Sequence, residues 1–416
     1  MARSVPIAAT LLVAALFVPS MTSCKGDGET QAIDKAIVVA VPARAGRVDD
    51  RPHNSDEFIW RHFCEFTAPV KDAPHQVVFE TWATDADTFT DNPHWPSPGE
   101  PKKFQASPLG KASTPHASVI DVPCNPPAGA AVGAFPTSGT PTPCIAEEVK
   151  RNKPGFDYLV NNKLNTPAGR AGAYAKKFKV AMPKEAIAVK GDWVPIQTIL
   201  QWVPELKTLE NVKRNYYTTI SQNVEYGLVS LHVSSRQNPN WVWGTFEHRY
   251  TPGRCDQIGC LDTFGAKKPE VRPNQREDNT QYGPCEKTDP LLRLMKDHSL
   301  SPVWENYCLK STEVDYVAPD GTPYVLGNSV IERITGNGTV AASSCIGCHV
   351  YAAFGADGQP TNAVLNVLPY NPTGKPIPAV LQDAVQLDFM WGLITQLRPP
   401  PPSCTPPAQC VTPPSK

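Results

Sequence analysis

Alternation of apolar and polar positions is clearest near the centre of the chain. Three segments there, 186–193, 227–233 and 241–248, are rich in β-branched and aromatic residues and predict strands. A polar loop, 234–240, separates the last two, so a hairpin is expected. His232 and His248 would each lie on one face of that hairpin.

Apolar residues recur at helical spacing in other parts of the chain. This pattern predicts helices at 55–66, around 144–163, at 289–297 and at 379–397. Asp289 is the expected cap of the third helix, with Pro290 at its first helical position. The mixture predicts an α+β fold with a β-rich main body and a small helical segment near the C-terminus.

Composition refines this picture. The 416 residues include 45 prolines, which interrupt helices and favour long ordered loops between short elements. The formal net charge is −1, so no global basic field indicates nucleic-acid binding. Five regions are expected: a signal peptide at 1–23, a spacer at 24–50, a main α+β body at 51–335, a functional segment at 336–397 and a Pro/Cys-rich tail at 398–416.

The N-terminus has the pattern of an export signal. Arg3 precedes an apolar run at 7–18, which is shorter than the roughly 18 residues of a membrane span. Small residues then precede Cys24, as at a bacterial lipoprotein cleavage site, where Cys24 would be lipidated. The alternative is an ordinary signal peptide with a structural Cys24. The first interpretation predicts an exported protein, in the periplasm or at the cell surface, held to the membrane by its N-terminal lipid only.

The cysteines agree with an oxidising compartment. Of the 12 cysteines, eight form sequence neighbours that could close local loops. The candidate disulfides are Cys124–Cys144, Cys255–Cys260, Cys285–Cys308 and Cys404–Cys410. Cys64 lies in an apolar helical pattern and is expected to be a buried thiol.

Cys345-Ile346-Gly347-Cys348-His349 carries the most specific chemistry of the chain. Two cysteines at this spacing can form thioether bonds to one porphyrin, and His349 can ligate its iron as the proximal ligand. Ser343 or Ser344 would cap the short helix. A zinc site and a structural disulfide are the rival interpretations, but no second Cys/His pair completes four zinc ligands, and a disulfide would not explain His349. The motif therefore predicts one covalently bound haem c.

The sixth position of the iron decides what such a haem can do. A strong protein ligand there suits electron transfer, whereas an open position allows small-molecule binding. The candidates are Met390, which follows the motif within a helical pattern, and the strand residues His232 and His248.

Several further segments accompany the motif in a fixed order. They are 58–63 (FIWRHF), 80–82 (ETW), 189–193 (VKGDW), 227–233 (GLVSLHV), 241–248 (WVWGTFEH) and 343–349 (SSCIGCH). Over about residues 55 to 350 the chain thus resembles bacterial exported proteins described as cytochrome c family proteins. The resemblance implies an exported redox protein with one haem, and it implies no substrate and no fold.

These observations favour an electron carrier over a catalyst, with one or more redox proteins as partners. The alternatives are a haem-dependent enzyme or small-ligand sensor with its site in the main body, and a partner-binding module of a larger redox complex. A single motif excludes a self-contained di-haem peroxidase. Asp85, Asp87 and Asp91 could gather around calcium, but they lack the pattern of an EF-hand loop and predict a solvated turn.

Overall fold

The computed structural model describes residues 55–97, 99–100, 102, 104–106, 146–221, 223–273, 282–330, 332, 343–361 and 373–391. All of them belong to one unit, 45–416, which includes both the predicted main body and the segment with the Cys/His motif. Four predictions lie outside the described residues: the signal segment with Cys24, the two cysteine pairs Cys124–Cys144 and Cys404–Cys410, and the tail from 398.

Short helices and strands alternate along the chain. The helices are α1 (Ser55–Phe66), α2 (Asp85–Thr88), α3 (Lys153–Asn161), α4 (Pro167–Ala175), α5 (Ile196–Trp202), α6 (Leu209–Asn215), α7 (Asp289–Asp297) and α8 (Cys345–His349). The strands are β1 (Pro69–Val70), β2 (Ala73–Val77), β3 (Ala83–Thr84), β4 (Gln105–Ala106), β5 (Ala146–Arg151), β6 (Ile187–Pro195), β7 (Thr218–Ser221), β8 (Val224–Ser235), β9 (Val242–His248), β10 (Cys260–Leu261), β11 (Glu270–Val271), β12 (Tyr307–Glu313), β13 (Ala353–Phe354) and β14 (Val385–Gln386).

One antiparallel sheet organises the described residues. Its strand order is β12-β9-β8-β6-β5-β3, with β4 paired to β5 and β7 paired to β8. The three strands predicted at the centre of the chain are its central strands β6, β8 and β9, and the predicted β8–β9 hairpin is present. Helices together with antiparallel sheet confirm the α+β class.

The two faces of the sheet differ in character. One face carries apolar side chains such as Val189, Leu231 and Phe246, which pack against Ile59 and Trp60 of α1 in the main core. Directly paired residues of antiparallel strands point to the same side. The row of Lys190, His232 and Thr245 is paired across β6, β8 and β9 and therefore occupies the other, more polar face.

Strand β5 corrects the helix predicted around 144–163. Only its second half is helical, as α3, because 146–151 form a strand inside the sheet. The residues Ala-Glu-Glu-Val-Lys-Arg favour a helix when taken alone. Here charged residues of β5 have partners on other segments: Arg151 pairs with Asp85, and Glu147 lies 2.6 Å from Lys190. These ion pairs override the local propensity.

The other helix predictions have mixed outcomes. Helices at 55–66 and 289–297 are confirmed, although the second is capped by Thr288 rather than Asp289. The prediction of a helix at 379–397 is wrong for residues 379–391, the part that the structure describes. Instead, a 3-10 turn covers Pro378–Leu381 and a short strand covers Val385–Gln386. Strand pairing of β14 with β13 replaces helical hydrogen bonding there.

The two predicted disulfides that lie within the described residues are confirmed. Cys255–Cys260 and Cys285–Cys308 are disulfides, and they fasten the loops around β10 and the start of β12. Cys64 is a free, fully buried thiol. Its burial raises the pKa to about 12, so the thiol is neutral at physiological pH.

Candidate functional site

The Cys/His motif forms a short, well-capped helix, α8. Ser344 is its N-cap, and the Ser344 hydroxyl oxygen accepts a hydrogen bond from the Gly347 N–H at 2.9 Å. Glu313, the last residue of β12, accepts from the Ile346 N–H at 3.1 Å and from the Ser344 hydroxyl at 2.8 Å. A buried carboxylate at a helix N-terminus also complements the helix dipole. The sheet edge thereby fixes where α8 begins.

Burial within α8 separates its residues into two groups. Ile346 and Gly347 are buried against the protein, whereas Cys345, Cys348 and His349 are only partly buried. Both cysteines are free thiols, although they are three residues apart. The residues of the motif that carry chemistry therefore share a partly open side of the helix.

The ring of His349 is held in one orientation. Its Nδ1 lies 2.8 Å from the backbone carbonyl oxygen of Phe389 and donates a hydrogen bond to it. The ring packs on Trp243, with centroids 4.5 Å apart, and near Trp391 at 6.4 Å. Burial lowers the pKa of His349 to about 4, so the imidazole is neutral at physiological pH. A neutral ring with its proton on Nδ1 leaves the Nε2 lone pair available for a metal.

The Phe389 carbonyl is presented by an unusual turn. Asp388 and Phe389 have φ angles of 43° and 68°, in the left-handed region that non-glycine residues rarely adopt. The segment around them is tied to the motif at two more points. The Leu387 N–H donates to the Ala352 carbonyl at 2.8 Å, and Trp391 Nε1 donates to the Cys348 carbonyl at 3.3 Å. Residues 387–391 therefore form a strap across the C-terminal end of α8.

The side chain of Asp388 holds this turn in place. Its carboxylate accepts hydrogen bonds from the Met182 N–H at 2.6 Å, from Arg236 Nε at 2.8 Å and from Trp241 Nε1 at 3.3 Å. A strained backbone conformation is kept only where the surrounding contacts hold it in place, and this often occurs at functional sites. The three donors supply that constraint here.

A cluster of ionisable groups lies on the sheet face beside α8. Lys190 and His232 are paired across β6 and β8, and Asp192 lies one pleat further along β6. The His232 Nε2 is 3.6 Å from an Asp192 carboxylate oxygen, which is too long for a hydrogen bond. Burial raises the pKa of Asp192 well above its ordinary value and lowers that of His232 well below it. Both groups are therefore favoured in their neutral forms.

Charged residues of this cluster affect the pKa values of the motif residues. Lys190 lies close enough to α8 to act electrostatically on Cys345, Cys348 and His349, and Glu332 acts on both cysteines. Burial is the largest cause that raises the pKa of each thiol, to about 12 for Cys348. Both cysteines are neutral thiols outside any disulfide, and each packs at the edge of an apolar cluster.

The structure separates the other two candidate ligands from this surface. His248 follows Glu247, which is paired with Ser230, so its side chain points to the face opposite His232. There it stacks on Tyr216 with centroids 3.5 Å apart, and its Nε2 lies 2.9 Å from the Asn215 carbonyl oxygen. These contacts give His248 a structural role in the core.

Met390 is near the motif but on the strap. It is buried in an apolar cluster with Ile346, Trp243 and Leu387. Its neighbour Phe389 contacts the Nδ1 side of the His349 ring, which faces away from Nε2. The burial of Met390 in this apolar cluster gives it a packing role.

Asp85 and Asp87 are buried structural residues, whereas Asp91 is exposed, so the predicted solvated turn is wrong for the first two only. Asp85 pairs with Arg151, and Asp87 caps α2 by accepting hydrogen bonds from the Thr84 N–H and hydroxyl. Asp87, His94 and Glu100 could offer ligand atoms to one ion, a grouping that sequence reasoning missed. The structural role of Asp87 and the exposure of His94 account for this grouping without an ion.

The motif residues fit the group that the sequence predicts. Two free thiols and a histidine with a fixed tautomer share the partly open side of one helix. The position of Cys24 lies outside the described residues. Among the helices that are described, none has both the length and the apolar character that a membrane span requires.

Comparisons of the chain with protein-family models, with curated proteins and with solved structures gave no match. The chemistry of the site therefore rests on its own residues.

Proposed function

We propose that this chain is an exported, lipid-anchored c-type cytochrome that carries one haem and transfers single electrons. The observation that carries the proposal is the hydrogen bond from His349 Nδ1 to the Phe389 carbonyl, made beside two free thiols at the spacing of haem attachment. This bond fixes the tautomer that a proximal iron ligand needs. A zinc site would need further ligands beside the motif, and the described residues around α8 offer no second cysteine pair.

Each motif residue then has a defined task. Cys345 and Cys348 would hold the haem through thioether bonds, and His349 would ligate its iron through Nε2. Bound haem supplies a site that gains and loses one electron. Trp243 packs on the His349 ring and prevents its rotation. The Phe389 carbonyl increases the basicity of the imidazole by accepting its proton in a hydrogen bond.

The compartment is proposed from the signal segment and the disulfides. Cys255–Cys260 and Cys285–Cys308 suit an oxidising environment outside the bacterial cytoplasm. Lipidation of Cys24 would hold the protein to a membrane without a spanning helix. In this setting redox proteins are the expected partners. Fractionation tests the anchor: the full chain is expected in the membrane fraction, and the Cys24→Ala chain is not; equal partition of both chains would contradict lipidation.

Redox titration tests the electron-transfer function. Protein produced in a host that attaches haem c should show a reversible optical change that follows a one-electron Nernst curve. Exchange of electrons with a soluble redox protein should then occur without consumption of oxygen or peroxide. Catalytic turnover of either molecule at a rate far above that of free haem would favour the enzyme alternative.

A further inference from the structure

One buried ring nitrogen on the polar face of the sheet is not satisfied by the residues around it. The Nε2 of His232 is buried and makes no hydrogen bond among the described residues. Leaving a buried polar atom unpaired costs about 1–3 kcal/mol, so native structures rarely do it without a reason. An additional group that binds this nitrogen is such a reason.

His232 also lies on the face of the sheet that carries Trp243. It is paired with Thr245, and Trp243 lies two residues further along β9 on the same face. Trp243 is the residue on which the His349 ring packs. Trp243 is thus a diagonal neighbour of His232 in the sheet and a packing partner of His349. His232 and the partly open side of α8 therefore border the same region.

The other histidines and Met390 are placed elsewhere. His248 is bound in the core on the opposite face. Met390 lies on the strap and is buried in the apolar cluster with Ile346 and Leu387. His62 is on α1 and hydrogen-bonds Glu65. The remaining described histidines, His75, His94 and His298, lie at exposed or half-exposed positions away from α8.

We propose that His232 would be the second protein ligand, besides His349, of the iron of a haem held at Cys345 and Cys348. This inference rests on the proposed function, because it needs a haem at the motif. An iron bound there would satisfy the Nε2 atom of His232, which makes no hydrogen bond among the described residues. That iron would then have two imidazole ligands. Such an iron is closed to small molecules, which favours a carrier over a sensor or catalyst.

Spectroscopy of the wild-type protein gives the first test. Magnetic circular dichroism in the near infrared distinguishes an iron with two histidines from one with a histidine and a methionine. We expect the two-histidine signature in the ferric state and no carbon monoxide binding in the ferrous state. A histidine–methionine signature, a high-spin iron or rapid carbon monoxide binding would overturn the assignment.

Variants give the second test. His232→Ala should become high-spin and bind carbon monoxide, and added imidazole should restore the low-spin spectrum. His232→Met should gain a sulfur–iron band and a higher potential, because a methionine ligand raises the potential of haem iron. The matched controls His248→Gln and Met390→Leu should keep the wild-type spectrum. An unchanged low-spin spectrum in His232→Ala would refute the ligand, whatever the stability of the variant.

The two proposals fail in different ways. Absence of covalent haem from the wild-type protein would remove the proposed function and this inference together. Covalent haem with any other sixth ligand would remove the inference alone. The wild-type spectrum decides between these outcomes even if a variant does not fold.

Discussion

The Nδ1 atom of His349 and the carbonyl oxygen of Phe389 are 2.8 Å apart, although 40 residues separate them in the chain. The contact depends on a turn in which two successive non-glycine residues have positive φ angles. Asp388 stabilises that turn by accepting hydrogen bonds from three donors, of which the Met182 N–H and Trp241 Nε1 are buried and Arg236 Nε is partly buried. The orientation of the predicted iron ligand is therefore set by a carboxylate that does not touch it.

Replacement of Asp388 by alanine tests this dependence. The change leaves Arg236 and Trp241 without their acceptor, and we expect a loss of about 1–3 kcal/mol in the free energy of unfolding. It should also raise the haem potential, because a weaker hydrogen bond from Nδ1 makes His349 a poorer donor to ferric iron. Chemical unfolding and redox titration measure the two effects. Asp383→Ala, at an exposed position of the same segment, is the control. A stability loss without any change in potential would show that the turn does not position His349.

The start of α8 gives a second prediction. Glu313 accepts from both the Ile346 N–H and the Ser344 hydroxyl, and a glutamine can offer only one oxygen to these donors. We expect Glu313→Gln to reduce the free energy of unfolding by about 1–2 kcal/mol. Denaturant unfolding measures the difference. Asp315→Asn, which changes an exposed carboxylate two residues away, should be nearly neutral. Equal stability of both variants would argue against the capping role.

The buried thiol gives a third prediction. Cys64 has a pKa raised to about 12 by burial and no exposed surface. Because the thiolate is the nucleophile, native protein at pH 8 should not be alkylated at Cys64. The same peptide should react fully in denaturant, as peptide mass mapping can show. Rapid labelling of Cys64 in the native protein would mean that α1 opens readily.

We expect the buried histidine His248 to make the free energy of unfolding depend on pH. Burial is the main cause that lowers the pKa of His248 to about 3, and three cationic neighbours, Arg249, Lys287 and Arg254, add to it. Between an ordinary pKa near 6.5 and about 3, the unfolded chain binds a proton at His248 that the folded protein does not. Stability therefore falls as the pH falls through this window, by about 1.4 kcal/mol per pH unit from this group.

His248→Gln isolates that contribution. Glutamine keeps a donor for the Asn215 carbonyl but does not titrate. The difference in unfolding free energy between wild type and variant should change between pH 6.5 and 3 and level off outside this range. Parallel curves across the whole range would contradict the assigned pKa.

Local patterns predict much of this architecture, for identifiable reasons. Alternation identifies β6, β8 and β9 because their apolar side chains face one core. The motif and its Ser344 cap are also local features. Strand β5 is not predictable in this way, because the partners of its charged residues come from distant segments.

The geometry of the site depends on relationships that no local pattern contains. Every residue has a carbonyl, so nothing in the sequence singles out Phe389 as the partner of His349. His232 and His248 both stand in predicted strands of one hairpin. Only the register, which pairs His232 with Thr245 and Glu247 with Ser230, places the two histidines on opposite faces.

Intact mass and the reduced pyridine haemochrome spectrum of one preparation test the central claim most directly. The chain, produced in a host that attaches haem c, should carry the mass of exactly one haem and show the spectrum of two thioether bonds. Cys345→Ala with Cys348→Ala should abolish both signals, and Cys64→Ala should retain them. A colourless wild-type protein with the mass of the bare polypeptide would contradict the account.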